Sequence, residues 1–564
     1  MSGHVVPIYA GSGSHRSEYA RPTQFPHQSR SVQLAKHGMV ATSHPLAAQT
    51  GLDVLKSGGN SADAAVAASA MMGLVEPMSC GIGGDLFVLY WDNNSKTLTG
   101  LNASGRSPKR LTREVFQEQN ISQIPLFGPL SWSVPGCVDG WSELIDKHGS
   151  RSLSELLTPS IQTAEEGFPV PEVIAGYWSS AANALSNWKG SAQTFLPDGQ
   201  PPAEGTLFRN PELADSYRQI AKQGKEAFYR GTITEKIVTC NDEVGGYLTT
   251  DDFASHTSEW IDPVSTNYRG YDVWELPPNG QGIAVLEMLN IIEQHDVSAM
   301  GPKSVNWIHL FTEAKKLAFA DRARFYADMN MAEIPVAQLI SKEYARRQNQ
   351  RINMQQSAIN IEPGDPLLSL GDTIYLTVVD QDHNCCSLIQ SNFHGFGSKV
   401  APPGTGFVMQ NRGALFSLDK DHPNTLEPGK RPFHTIIPAM VTRNNEPWFC
   451  FGVMGGDMQP QGHVQVLVNM IDFEMNVQMA GDLARVSHIG SATPTGLPEA
   501  DGGGELLVEA GIDDDTIKQL EQRGHQVKRA VGAFGGYQGI LIDPVSHVLH
   551  GATESRKDGA VVGY

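Results

Sequence analysis

The chain has 564 residues, of which 40% are hydrophobic, so it holds enough apolar material for a large buried core. Its formal net charge of −19 at pH 7 argues against nucleic acid and anionic membranes as partners, because both are negatively charged. The sequence shows neither the roughly 18 continuous apolar residues of a membrane span nor the pattern of a secretory signal. We therefore expect a soluble, cytoplasmic protein.

The cysteines predict buried, reduced thiols. None of the six belongs to a CxxC pair, and neighbouring Cys385 and Cys386 point to opposite faces if they lie on a strand. The sequence also lacks an HExxH zinc helix, a GxSxG elbow and a phosphate-binding loop. We expect neither a metal nor a cofactor.

The first elements are an arm and two helices. Residues 1–36 are polar and rich in turn residues, which is typical of a loosely ordered arm or a strap. A helix is predicted over 45–56, because Pro opens it and a Gly-Gly pair follows it. A second helix is predicted from Ser61, with Asn60 or Ser61 as its cap.

Further helices and short strands alternate along the rest of the first half. Strands are predicted over 86–91 and 271–274. Helices are predicted over 152–166, 210–223, 305–324 and 342–349. This alternation predicts an α/β chain and not a helical bundle.

The second half opens with a predicted hairpin. A β-branched and aromatic run is followed by the polar group Asp-Gln-Asp-His-Asn and then by an apolar run. If Asp380 faces Cys385, Thr373 lies beside Asn392 and one step from Ser391. The start of the first strand therefore faces hydroxyl and amide groups at the end of the second.

Thr373 opens this hairpin directly after Asp372, and the pair Gly455-Gly456 follows some 80 residues later. This pattern suggests an N-terminal nucleophile, in which backbone cleavage creates a free α-amine on the threonine. An α-amine with a pKa of about 8 takes the proton of the hydroxyl on the same residue. Two successive N–H groups at a Gly-Gly turn supply an oxyanion hole.

The sequence resembles the gamma-glutamyltransferase family from about residue 38 to the end. Several ordered blocks carry the resemblance. They are Gly38-Met-Val-Ala-Thr-Ser-His, Ser57-Gly-Gly-Asn-Ser-Ala-Asp, Gly81-Ile-Gly-Gly-Asp, Ser133-Val-Pro-Gly, Pro277-Pro-Asn-Gly-Gln-Gly, Ala318-Phe-Ala-Asp-Arg, Asp372-Thr-Ile-Tyr-Leu-Thr-Val-Val-Asp, Lys430-Arg-Pro and Gly455-Gly.

The resemblance implies roles for four residues. Thr373 stands at the family's processing threonine and nucleophile, and Ser391 matches the hydroxyl residue that hydrogen-bonds it. Gly455 and Gly456 match the oxyanion-hole pair.

The resemblance also implies the fold and the processing. The expected fold is the four-layer αββα sandwich of self-cleaving N-terminal nucleophile hydrolases. Cleavage between Asp372 and Thr373 divides the chain into a large subunit, 37–372 with the arm 1–36, and a small subunit, 373–564. The two subunits are expected to form one composite domain.

The substrate-binding positions depart from the family pattern. The arginine that holds the substrate α-carboxylate falls at Ser104, and the aspartate that holds the α-amine falls at Leu415. A serine lacks the fork of arginine, and a leucine cannot hold an ammonium. The family's paired serines are His434 and Thr435 here.

Two nearby arginines, Arg106 and Arg412, are candidates for a displaced carboxylate site. The alternative for each is a structural salt bridge. Asp457 and His463 are candidates for pocket residues, with a structural role as the alternative.

The expected function is a self-processing threonine amidohydrolase or acyltransferase that acts on a small-molecule amide. The segments 410–417 and 455–463 resemble the glutathione hydrolase-like branch of the family, so glutathione hydrolysis or gamma-glutamyl transfer is the first hypothesis. The rival within the same chemistry is a different acyl group, as in oxamate or a cephalosporin side chain. A non-enzymatic binding protein on this fold is the rival of another class.

Overall fold

The computed structural model describes residues 28–359, 372–491 and 503–564. Its strands are, in chain order, β1 (Gln33–Ala35), β2 (Met39–Thr42), β3 (Asp85–Asp92), β4 (Thr97–Ala103), β5 (Phe168–Pro169), β6 (Leu207–Phe208), β7 (Glu259–Ile261), β8 (Val264–Tyr268), β9 (Tyr271–Glu275), β10 (Asp372–Val379), β11 (Cys385–Phe393), β12 (Ala439–Arg443), β13 (Glu446–Met454), β14 (Val486–Ile489), β15 (Glu505–Val508), β16 (Gln526–Arg529), β17 (Gly536–Ile542), β18 (Leu549–Thr553) and β19 (Ala560–Gly563).

The helices follow in the same way. They are α1 (Pro45–Lys56), α2 (Ser61–Val75), α3 (Arg113–Glu118), α4 (Cys137–His148), α5 (Leu153–Glu166), α6 (Glu172–Ser186), α7 (Lys189–Phe195), α8 (Pro211–Gln223), α9 (Glu226–Tyr229), α10 (Thr232–Glu243), α11 (Thr250–Ala254), α12 (Gly282–Ile292), α13 (Val305–Phe325), α14 (Val336–Leu339), α15 (Lys342–Asn349), α16 (Met458–Ile471), α17 (Val477–Asp482) and α18 (Asp514–Gln522). Short 3-10 helices occur at Pro129–Ser131, Pro197–Gly199 and Arg412–Leu415.

Most strands belong to two antiparallel seven-stranded sheets. Sheet 1 has the order β1-β18-β17-β13-β12-β9-β8, and sheet 2 has the order β19-β2-β10-β11-β3-β4-β7. Two smaller sheets, β14-β15-β16 and β5-β6, complete the described strands. Each large sheet therefore combines strands from the beginning, the middle and the end of the chain.

The two large sheets share one buried apolar cluster. It contains Phe87 and Tyr375 from sheet 2 together with Met440, Met454 and Ile540 from sheet 1. The opposite faces of the sheets are covered by helices, α2 lying on sheet 2 and α16 on sheet 1. Strand β10 is therefore buried on both sides, which explains its almost continuous apolar sequence.

The structure confirms the helices and strands that the sequence predicts. Helix α1 spans the expected residues, and α2 begins at Ser61, where the Asn60 side chain accepts from the N–H groups of Ala62 and Asp63. Helices α5, α8, α13 and α15 and strands β3 and β9 lie within one residue of the predicted bounds.

The cysteines agree with the sequence expectation. All six lie in the described part of the chain, where each is buried and none forms a disulfide. Cys385 belongs to the cluster between the sheets, whereas Cys386 packs on the helix side of sheet 2. Their side chains therefore point to opposite faces of β11, as expected.

The end of the predicted arm is bound to the body of the protein. Strand β1 pairs with β18, and the Ser29 N–H donates to the Asp482 carboxylate at 2.7 Å. Residues 1–27 lie outside the described residues. The described part, from residue 28 onward, behaves as a strap.

The β10–β11 hairpin forms, but the predicted register is wrong by one residue. Val379 pairs with Cys385, and the Asp380 carboxylate instead accepts two backbone N–H groups inside the turn. This local hydrogen bonding removes Asp380 from the ladder. The register shifts again between Asp372 and Ile374, so Thr373 lies at an irregularity of the strand.

No helix within residues 28–359, 372–491 and 503–564 combines the length and apolar character needed to cross a membrane.

Candidate active site

Thr373 and Ser391 meet at the open end of the hairpin. Thr373 is buried at the start of β10, and its Oγ1 lies 3.0 Å from the Oγ of Ser391, near the end of β11. The Ser391 Oγ also accepts from the Phe393 N–H at 2.8 Å, which fixes its position. The structure thus brings together the two hydroxyls that the sequence places near each other.

A buried guanidinium stands next to these hydroxyls. Arg412 Nη2 donates to the Ser391 Oγ at 3.1 Å, and its Nη1 donates to the Thr435 Oγ1 at 2.7 Å. The guanidinium lies 4.5 Å from the centroid of the Phe393 ring. Burial lowers the pKa of Arg412 to about 9, which reflects the cost of keeping this cation out of water.

Within the described residues, Arg412 forms no salt bridge, and its buried Nε has no hydrogen-bond partner. Burial lowers the pKa of Arg412 more than the charge of the buried Asp85 carboxylate raises it. Arginine carries five N–H donors, so several remain after two hydroxyls are served. The site therefore contains a desolvated cation that is suited to an anionic ligand.

Arg106 is placed quite differently. Its Nη2 lies 2.8 Å from the Glu259 carboxylate and its Nη1 lies 3.6 Å from that of Asp328. Glu259 also pairs with Arg431 at 2.7 Å. These contacts agree with a structural salt bridge, the alternative that the sequence analysis gave for Arg106. A role for Arg106 in binding substrate stays a prediction.

Asp85 links the loops around the site. Its Oδ1 accepts from the N–H groups of Gly105 and Gly136 and from the Gln410 amide, at 2.8–3.1 Å. Its Oδ2 lies 3.0 Å from the His434 Nε2, and burial lowers the pKa of His434 to about 3. His434 is therefore neutral at pH 7, and it donates to Asp85.

Gly455 and Gly456 form the turn between β13 and α16. Their φ angles are 119° and 56°, and a Cβ on Gly455 would lie 3.1 Å from the Gly535 Cα. Their carbonyls accept from the N–H groups that begin α16. Within the described residues neither glycine N–H donates a hydrogen bond, so both remain available to an oxyanion.

The strand that begins at Thr373 packs against the strand that leads into the glycine turn. The ring of Tyr375, on β10, lies so close to Gly452, on β13, that a Cβ there would lie 2.5 Å away. Met454, the last residue of β13, shares the inter-sheet cluster with Tyr375.

Hydrogen bonds from buried polar side chains hold the glycine turn in place. The Gln281 amide donates to the carbonyls of Gly456 at 2.9 Å and of Thr435 at 2.7 Å. It accepts from Arg322, which also holds the Asp457 carboxylate at 2.7 and 3.1 Å. Asp457, a predicted pocket residue, is therefore paired within the protein.

Sequence reasoning assigned no role to Gln281 or Arg322. Both lie inside blocks that carry the family resemblance, at 277–282 and 318–322. Their position in these blocks was the only feature of the sequence that indicated a role for them. Their placement shows that these blocks support the glycine turn and the loop of Thr435.

The remaining candidates lie in the core. Leu415 is fully buried in an apolar cluster, and the Ser104 hydroxyl donates to the Asn102 side chain at 2.7 Å. His463 Nδ1 lies 2.8 Å from a Glu275 carboxylate oxygen, and both side chains are fully buried. Burial lowers the pKa of His463 to about 3 and raises that of Glu275.

One group in the described residues has metal-ligating side chains close together. The donor atoms of His309, Glu313 and His525 lie within 4.8 Å of one another. The Glu313 carboxylate already accepts from the Lys316 ammonium at 2.8 Å. Because this internal cation competes with a metal ion for the carboxylate, we assign no metal to the group.

Comparison with known proteins identifies the family of the chain. The sequence model described as gamma-glutamyltranspeptidase matches residues 47–564. The glutathione hydrolase-like YwrD proenzyme of Bacillus subtilis is 38% identical over 93% of this chain and 98% of its own. The oxamate amidohydrolase proenzyme of Klebsiella pneumoniae is 32% identical over 95% of this chain and all of its own.

Among solved structures, cephalosporin acylase from Bacillus halodurans superimposes with a TM-score of 0.88 and 42% identity, covering 97% of this chain and 99% of that one. The fold and the comparisons define an N-terminal nucleophile enzyme that hydrolyses or transfers acyl groups at amide bonds. The chain belongs to the gamma-glutamyltranspeptidase family.

Proposed function

We propose that the chain cleaves itself between Asp372 and Thr373 and then hydrolyses or transfers the acyl group of a small-molecule amide, with Thr373 as the nucleophile. The observation that carries this proposal is the 3.0 Å contact between the Thr373 and Ser391 hydroxyls beside a buried cation. The chain keeps the hydroxyl pair and the glycine pair of the family pattern, which argues against a non-enzymatic binding protein.

The reaction has two halves. The Thr373 α-amine takes the hydroxyl proton, Oγ1 bonds to the amide carbon, and the N–H groups of Gly455 and Gly456 stabilise the oxyanion. Collapse breaks the C–N bond, and the amine leaves with the proton. Water or an acceptor amine then attacks the threonine ester and restores the hydroxyl. Ser391 orients Oγ1 throughout.

We infer that the fold is the four-layer αββα sandwich, cut into subunits 1–372 and 373–564 that form one composite domain. The shared apolar cluster between sheets 1 and 2 and the helices on their outer faces support this arrangement. The names of relatives that include the word proenzyme support the cleavage.

The substrate we propose is an amide whose acyl group carries a carboxylate, held by Arg412. Arg412 is buried and forms no salt bridge with the described residues, so a substrate anion would stabilise its charge. Glutathione and other gamma-glutamyl compounds are the first candidates, because relatives are named for glutathione hydrolysis.

A second candidate group lacks the α-amine. Leu415 occupies the position expected to hold that amine, and it is buried among apolar side chains. One relative is named oxamate amidohydrolase and one similar solved structure is named cephalosporin acylase, which supports an acyl group other than gamma-glutamyl.

Two measurements test the proposal. Mass spectrometry of the purified protein should show fragments ending at residue 372 and beginning at residue 373, and an active preparation that stays uncleaved would contradict the mechanism. Processed enzyme incubated with glutathione, oxamate and a cephalosporin side-chain amide should release product from at least one. Cleaved protein that releases product from none would contradict the substrate class.

A further inference from the structure

We propose that Gln281 is a positioning residue for the reaction at Thr373, because its single side-chain amide joins the glycine turn to the segment that holds Arg412. This inference rests on the proposed function, since it takes the N–H of Gly456 as an oxyanion donor and Arg412 as the carboxylate site. It adds a residue that acts on the reaction through these neighbours.

The Gln281 amide lies between two parts of the site. Its Nε2 donates to the Thr435 carbonyl at 2.7 Å and to the Gly456 carbonyl at 2.9 Å. An amide nitrogen carries two N–H groups, so each carbonyl receives one of them. The Thr435 hydroxyl in turn accepts from Arg412 at 2.7 Å. One side chain therefore connects the carboxylate site with the glycine turn.

The contacts of Gln281 permit only one orientation of its amide. The Oε1 atom accepts from Arg322 Nη1 at 2.7 Å, and Arg322 also donates to the Asp457 carboxylate. In the reversed orientation the amide oxygen would face two carbonyl oxygens, and the N–H groups would face a guanidinium that can only donate. Because Asp457 directly follows Gly456, this chain of hydrogen bonds returns to the glycine turn.

The glycine turn needs such support because two adjacent glycines deform easily. Glycine adopts positive and negative φ about equally well, and Gly455 and Gly456 have φ angles of 119° and 56°. An N–H group stabilises an oxyanion only when it points at the position where the charge develops. By holding the Gly456 carbonyl, Gln281 restricts the rotation of the residue that supplies one of the two N–H groups.

The backbone around Gln281 is also attached to the same segment without its side chain. Gly280 forms a β-bridge with His434, whose N–H donates to the Asn279 carbonyl at 2.8 Å. The Asn279 side chain donates to the Pro432 carbonyl at 2.8 Å. These contacts remain when the side chain of Gln281 is replaced, so we expect Gln281→Leu to fold.

A second buried glutamine provides a matched control. The amide of Gln465, in α16, also donates to two carbonyls, those of Gln461 at 3.1 Å and Val486 at 2.9 Å. It accepts from the Val486 N–H at 3.0 Å. Replacing Gln465 or Gln281 by leucine therefore removes the same kind of contacts, but the contacts of Gln465 join α16 to β14 and do not involve the glycine turn.

The two leucine variants are compared as processed enzymes with gamma-glutamyl- or glutaryl-p-nitroanilide, whichever the wild type hydrolyses. Gln281→Leu should lower kcat by about 10- to 100-fold and change KM by less than about threefold, because the orientation of the N–H group matters most in the transition state. Gln465→Leu should leave both constants unchanged, while Tm falls in both variants. Equal losses of kcat in the two variants, or an unchanged kcat in Gln281→Leu, would overturn the inference.

Gln281→Glu separates hydrogen-bond donation from side-chain size. Glutamate keeps the length of the side chain and accepts from Arg322, but its carboxylate has no N–H group for the two carbonyls. We expect kcat to fall as far as in Gln281→Leu, and a wild-type kcat would show that donation plays no part. If neither variant folds while Gln465→Leu does, Gln281 contributes to folding only and the inference is wrong.

The outcomes also separate this inference from the proposed function. If Gln281→Leu keeps its kcat and Thr373→Ala is inactive, the inference is wrong and the nucleophile stands. If processed wild-type enzyme releases product from neither anilide nor from glutathione, oxamate or a cephalosporin side-chain amide, the proposed function itself is wrong.

Discussion

Arg106 lies two residues after Ser104, and Arg412 lies three residues before Leu415, so each arginine is close in sequence to a position that departs from the family pattern. Their surroundings in the structure are nevertheless different. Arg106 is about one-quarter exposed and lies against the carboxylates of Glu259 and Asp328. Arg412 is fully buried and donates to hydroxyls. A cation that is already neutralised within the protein contributes to the fold. A desolvated cation that forms no salt bridge with the described residues, such as Arg412, is stabilised most by a ligand.

The largest expected effect comes from Thr373, the proposed nucleophile near Arg412. Thr373→Ala should abolish both self-cleavage and amide hydrolysis, because hydroxyl and α-amine belong to one residue. A denaturing gel should show one band in place of two, and turnover should fall to background. Thr377→Val, on the same strand, is the control and should still mature.

The next effect concerns the glycine turn. Gly456→Val should lower kcat by roughly 100- to 1000-fold, because a side chain displaces an N–H group from the oxyanion. Gly270→Val is a matched control, since Gly270 also has a positive φ, of 87°, and open space around it. Equal activity of the two variants would remove the glycine turn from the mechanism.

The two arginines themselves give a smaller effect and test the comparison directly. Arg412→Gln should lower kcat/KM by about 10- to 150-fold, since hydrogen bonds to charged groups contribute about 1.5–3 kcal/mol. Arg106→Gln should change it by less than about threefold, because Arg106 forms partly exposed ion pairs. Both variants are assayed as processed enzymes with a p-nitroanilide substrate whose acyl group carries a carboxylate. A larger loss in Arg106→Gln would reverse the assignment.

The smallest effect is the expected contribution of a substrate α-amine. Glutaryl-p-nitroanilide should be hydrolysed at least as efficiently as gamma-glutamyl-p-nitroanilide, because an ammonium beside Leu415 lacks an ionic partner. The two kcat/KM values are compared on the same preparation. A strong preference for the substrate with the amine would show that another group replaces the missing aspartate.

Much of the fold was predictable because its signals are local. The Asn60 cap, the apolar period of α13 and the β-branched run of β10 each lie within one element, so short-range propensity identifies them. The proximity of Thr373 and Ser391 follows from the hairpin in the same way. The exact register was missed because the Asp380 side chain satisfies its own turn.

The site was less predictable because its partners are distant in the chain. Arg106 forms its salt bridges with Glu259 and Asp328, which lie 153 and 222 residues away in the sequence. Because no local pattern indicates these partners, the sequence predicted a salt bridge only as one of two alternatives. For the same reason the sequence did not indicate that Gln281, just before α12, donates to Gly456, or that Arg322, in α13, donates to Gln281 and Asp457. Sequence identifies candidate charges, and folding decides which of them are neutralised.

The mixing of strands in the two large sheets has a consequence for assembly. Strand β2 lies between β10 and β19, and β1 and β9 pair with strands that follow residue 372. Each large sheet therefore needs segments from both sides of residue 372. If the proposed cleavage at 372–373 follows folding, the unfolded fragments must associate again before either sheet can form, so we expect refolding of the cleaved protein to depend on concentration. The uncleaved chain should refold without that dependence.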